Sequence, residues 1–180
     1  MYLRITAKDL VDGDTYIVNV SNYKGSIYLD EDLGTVAFLN TIRCTGDLIA
    51  GKGTSIESIN IEVGGSLQVG DGIHAGGRIL AGNSIQAGCD IQAGWGIEAG
   101  NSIKAGWGIE SGEGIQAGGS IESGEGIQAG LAITAKGTIE VKQRILAGTL
   151  SGRELSSEEM NITCSKLLSG KIILGNLVEV

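Results

Sequence analysis

A chain of 180 residues with 31 glycines, no proline and 4% aromatic residues is the size of one ordinary domain. It lacks the aromatic bulk on which a globular core usually draws. Its formal net charge of −8 argues against direct binding to nucleic acid, since phosphate neutralisation needs lysine and arginine; it suits a basic protein partner, and also plain solubility.

In chain order, residues 1–40 are not periodic. Short β-like runs at 2–6, 15–20 and 26–29 are separated by turn signals at Val11-Asp12-Gly13-Asp14 and Asn22-Tyr23-Lys24-Gly25. The opening residues carry no apolar h-region, so no secretion signal is read there and the cytoplasm is expected. No apolar run approaches the roughly 20 residues of a membrane span, so no membrane partner is expected. This stretch is assigned as an N-terminal β cap.

Residues 41–150 are a repeat. From Leu67 to Ile145, Leu or Ile stands at every sixth position, and Ala, Ser or Val follows two residues later. Gly follows three residues later except at Lys136 and Lys142. A fixed short period identifies a repeat architecture. In a strand, residues i and i+2 share a face, so Ile and Ala both point inward. Gly is expected to make the bend by reaching positive φ. Ser66, Ser84, Ser102, Ser120 and Thr138 recur every 18 residues. Three hexads therefore close one coil, and the cross-section is a triangle. The fold class is all-β: a right-handed three-sided parallel β-helix with irregular β caps at both ends. Residues 151–180 form the second cap. Residues 154–159 read as a helical turn, and 171–180 read as strand, apolar enough to cap the stack or to make a homodimer contact.

The hexad Ile-x-Ala-Gly-x-x, as in Ile91-Gln92-Ala93-Gly94, shares its period with the hexapeptide acyltransferases. Those place the small inward residue two before the aliphatic one, whereas here it lies two after, which argues against their left-handed coil. In architecture the prism resembles the bactofilin-like polymer-forming proteins. That resemblance covers residues 41–150 and implies a right-handed, cytoplasmic, non-catalytic solenoid that assembles end to end. It transfers no functional residues.

Little in the chain points to catalysis. His74 is the only histidine and takes an outward position, too few for a three-histidine metal site and without a pattern for a general base. Gly94-Trp95-Gly96-Ile97-Glu98-Ala99 mimics a dinucleotide fingerprint but opens no helix. Cys44, Cys89 and Cys164 form neither a disulfide framework nor a zinc motif. No enzyme activity, cofactor or metal is expected.

The outward residues are more informative where they stop repeating. With 18 residues per coil, one corner column is Asp71, Cys89, Trp107, Glu125, Gln143, and the next is Gly77, Trp95, Glu113, Leu131, Thr149. Trp95 and Trp107 therefore edge one face, with Asp90, Glu110, Glu113 and Glu125 around them. Exposed Trp is a favoured interface anchor. Four carboxylates over three coils give about one per 3.6 Å, near the roughly 3.4 Å phosphate spacing of a DNA strand. The expected function is a binding module whose acidic, Trp-bearing face docks a basic protein. It would inhibit a nucleic-acid-binding protein by charge mimicry, in the manner of a phage anti-defence inhibitor. The alternative is a scaffold that stacks end to end.

Overall fold

A strand of three residues, such as Ile91–Ala93, has too few backbone bonds to stand alone. Each one finds partners in the coils before and after it. In the computed structural model, which describes residues 1–180, these strands stack as a parallel β-solenoid of about nine turns. The registers Ile73↔Ile91, Ile85↔Ile103 and Ile97↔Ile115 are each 18 residues apart. The predicted coil of three hexads is thus the observed one.

Three faces result. The first stacks Tyr2–Ile5, Ser26–Leu29, Leu48–Ala50, Leu67–Val69, Ile85–Ala87, Ile103–Ala105 and Ile121–Ser123. The second stacks Thr15–Tyr16, Gly34–Phe38, Thr54–Ser58, Ile73–Ala75, Ile91–Ala93, Ile109–Ser111 and Ile127–Ala129. The third runs from Ile42–Cys44 through Ile79–Ala81, Ile97–Ala99, Ile115–Ala117 and Ile133–Ala135 to Asn161–Cys164 and Asn176–Glu179. One strand, Thr138–Ala147, turns a corner unbroken and joins the first two faces. The Ile and Ala columns are buried throughout, and each isoleucine contributes about 1.5–3 kcal/mol on burial. The Ser column is a hydrogen-bonded corner ladder: the Thr138 N–H donates to Ser120 Oγ at 3.0 Å, and the Ser120 N–H to Ser102 Oγ at 3.2 Å.

The glycine column has a different cause from the one the sequence suggested. None of the repeat glycines from Gly70 to Gly130 has a positive φ. Their requirement is close approach. A Cβ on Gly106 would overlap the carbonyl oxygen of Gly88 one coil below, and a Cβ on Gly124 would overlap that of Gly106. The corners stack backbone on backbone, and only hydrogen fits between them.

The stack also extends beyond the periodic segment. Leu3 pairs with Ile27, Tyr16 with Phe38, Ile27 with Leu48 and Val36 with Ile56. Residues 1–40 are therefore wider coils whose longer corners hide the period. The buried Tyr16 and Phe38 rings, 5.4 Å apart, fill the extra width. At the other end Ile133 pairs with Ile162, because residues 148–160 are inserted at a corner. The predicted helical turn is a short 3-10 segment, Glu158–Met160. The last strands are Lys166–Leu174 and Asn176–Glu179.

The two ends are finished differently. At the first coil Ile5, Tyr16 and Val20 are buried and Leu10 packs against the core beside a 3-10 turn at Ala7–Asp9, while Tyr2, Val11, Ile17 and Val18 are exposed. At the last coil Leu167 and Ile172 are only half-buried, and Leu168, Ile173 and Leu177 are exposed.

Candidate acidic and aromatic docking surface

Backbone hydrogen bonds run up both predicted corner columns. Trp107 N–H donates to Cys89 O at 2.9 Å, and Glu125 N–H to Trp107 O at 2.9 Å. Trp95 N–H donates to Gly77 O at 3.0 Å, and Glu113 N–H to Trp95 O at 3.1 Å. Each Trp therefore has a Glu directly above it. Both indoles stand out from the prism, 59% exposed at Trp95 and 57% at Trp107; neither is folded flat into the stack.

A serine inside the prism holds each of these corners. Ser111 donates its hydroxyl to the Trp95 carbonyl, and Ser123 donates to the Trp107 carbonyl at 2.6 Å. Both serines occupy the small inward position where the repeat mostly carries Ala. The spacing of 16 residues from Trp to Ser was readable in the chain, as was the duplication at an offset of 12: Trp95, Glu98, Ser111 and Glu113 correspond to Trp107, Glu110, Ser123 and Glu125.

The expected site residues divide between two places. Asp90, Glu110 and Glu125 line one small pocket of about 150 Å³ on the second face, with Gln92, Gln128 and Arg144. Trp95 and Glu113 instead line a groove of about 580 Å³ on the third face. Its aliphatic lining includes Leu80 on the strand and Leu131 at the corner, and its acids are Glu98, Glu113, Glu158 and Glu159. Trp107 lines neither. Glu98, Leu80, Leu131 and Glu158 were missed in the sequence, although Glu98 had a signal: it follows Trp95 by three residues as Glu110 follows Trp107.

The inserted segment forms the outer wall of this groove. Arg153 Nη1 donates to Glu159 Oε2 at 2.9 Å, and the Ser156 N–H donates to the same oxygen at 2.9 Å. These contacts hold the Glu159 carboxyl down at about 2, with the Arg153 hydrogen bond the larger cause. Arg78, which also lines the groove, is committed to Glu62 at 2.7 Å. Glu98, Glu113 and Glu158 form no ion pair.

The reactive side chains are otherwise engaged. His74 Nε2 lies 3.1 Å from Asp90 Oδ2 on the second face. Burial pushes the Cys44 thiol up to about 11 and raises Cys89 and Cys164 as well; a thiol held protonated is a poor nucleophile. No group of three or more His, Cys, Asp or Glu is placed to hold a metal ion. Every buried side-chain nitrogen and oxygen has a hydrogen-bond partner. No helix is long and apolar enough to cross a membrane. No protein-family model, no curated protein and no solved structure matches the chain.

Proposed function

We propose that this β-solenoid is a non-catalytic, cytoplasmic binding module whose acidic, Trp-bearing surface docks a basic protein. The observation that carries the reading is the pair of exposed tryptophans, each stacked under a glutamate that forms no ion pair within the chain. Exposed Trp supplies desolvatable area at low entropic cost. Unpaired carboxylates on a rigid prism supply a fixed negative field that speeds encounter with a positive surface. A basic nucleic-acid-binding protein offers that charge, and occupying its basic surface would inhibit it by charge mimicry. The test is a comparison of captured proteins between the native chain and the charge-reversed variant E110K/E113K/E125K. Loss of basic proteins from the variant, with the native capture reversed by salt or by added DNA, supports the reading. An unchanged capture set sinks it.

The bare last coil favours a second reading, self-association. Strand edges with unpaired N–H and C=O groups are templates for further pairing, and Leu168, Ile173 and Leu177 add exposed apolar area there. At the first coil Tyr2–Ile5 also leaves an unpaired outer edge, so end-to-end growth is the competing outcome. Contact between two last coils gives a closed homodimer instead. A two-fold axis across the stack reverses the sense of winding, so the facing strands would meet antiparallel. Sedimentation across concentration separates the cases: a dimer that I173D abolishes supports pairing of last coils, growing polymers support the end-to-end scaffold, and a fixed monomer removes both.

A further inference from the structure

The two Trp corners carry the same local pattern but sit in different surroundings. That difference singles out one of them as a receptor for a specific kind of chain segment. We infer that the third-face groove beside Trp95 binds an extended, arginine-bearing segment of a protein partner; this rests on the basic-partner reading above and deepens it.

Three observations converge. First, the groove combines an exposed indole with the aliphatic lining residues Leu80 and Leu131. A guanidinium stacks on an indole face, and its stem packs on aliphatic carbon. Second, the charge is uncompensated. Glu98, Glu113 and Glu158 have no cationic partner, and the one lining cation, Arg78, is already bound to Glu62. The groove therefore lacks positive charge, which an arginine supplies with a planar fork matched to carboxylate. Third, the groove is elongated along the stack. It runs across the strands Ile79–Ala81, Ile97–Ala99, Ile115–Ala117 and Ile133–Ala135. Three strand spacings make about 14 Å, the reach of four or five extended residues at about 3.3 Å each.

The Trp107 corner differs in room and in charge. The pocket bounded by Glu110 and Glu125 crosses as many strands but is about 150 Å³ against about 580 Å³. Trp107 does not line it, and a cation, Arg144, does. Thr149, Leu150 and Ser151 of the insertion border a separate second-face pocket of about 540 Å³ with Glu110, His74 and Gln128, but that pocket has no indole on its lining. The duplicated sequence thus produces one corner whose indole lines a groove and one whose indole lines none, with Arg144 beside its glutamates.

The test is a titration with the blocked pentapeptide Arg-Ala-Arg-Ala-Arg, read by tryptophan emission. The chain has only two tryptophans, so W107F leaves Trp95 as sole reporter and W95F leaves Trp107. Saturable change is expected in W107F and little in W95F. With a fluorescent peptide, W95A should weaken binding about tenfold, E98Q and E113Q about two- to fivefold each, and W107A less than twofold. All these side chains are exposed, so circular dichroism should be unchanged. Equal losses in W95A and W107A overturn the groove assignment. Losses in E110Q and E125Q but not in E98Q and E113Q also overturn it, while leaving the basic-partner reading standing. Binding indifferent to every variant marks general attraction to net charge and overturns the groove. No binding in low salt overturns both readings.

Discussion

The Trp95 and Trp107 corners are nearly a controlled experiment within one chain. Both have a Trp under a Glu, a Ser hydroxyl on the Trp carbonyl and a Glu three residues on. Yet Trp95 lines a walled groove of about 580 Å³, whereas Trp107 lines neither that groove nor the small pocket beside it, where Arg144 stands with Glu110 and Glu125. The lesson is that a repeat duplicates local geometry faithfully but does not duplicate a site. What makes the site is the non-repeating insertion at 148–160 and the accident of which residue lies one coil above.

The comparison can be broken most severely at the shared corner geometry. G112A, beside the Trp95 corner, and G124A, beside Trp107, each place a Cβ into the carbonyl oxygen of the glycine below. Each should cost about 3 kcal/mol through overpacking, and by urea denaturation the two losses should agree. Unequal losses would show that the corners are not equivalent even in their backbone. The serines come next. S111A and S123A restore the residue the repeat mostly uses, and each Trp carbonyl keeps the N–H of the Glu above it. A loss of about 1 kcal/mol is expected at each, the net worth of one hydrogen bond.

Two smaller effects sharpen the difference. R144Q removes the resident cation from the Trp107 corner, so that corner should come to resemble the other. In W95F/R144Q, caesium ion should quench Trp107 about twofold more than in W95F alone, and added salt should erase the gain. The last effect concerns the wall. The Glu159 carboxyl is held at about 2 by Arg153 and Ser156, below the ordinary 4.5. Its contribution is therefore complete above pH 4.5 and is lost as pH falls through about 2. Pepsin should cut residues 148–160 more slowly in the native chain than in E159Q at about pH 3.5, with the difference gone near pH 1.5.

Much of the architecture was legible because inward positions repeat. The Ile column, the Ser column and the corner assignment of Trp95 and Trp107 follow from period alone. The reason for the Gly column was not legible. A glycine in a sequence signals either a positive φ or a close approach, and only the stacked carbonyl at Gly88 or Gly106 distinguishes them. Residues 1–40 were opaque for a related reason. Coils such as Leu3 to Ile27 vary in corner length, which erases the period while leaving the stacking intact.

The sequence by itself determined the three-sided coil, the buried columns and the two outward tryptophans, since each depends on residues six or 18 positions apart. The tertiary structure alone decided how the acids are shared out. Asp90, Glu110 and Glu125 gather on one face while Trp95 and Glu113 turn to the next, toward Glu98 and Glu158. The direction of an exposed side chain and the path of an aperiodic insertion depend on which atoms pack beside them across coils. No spacing along the chain records that.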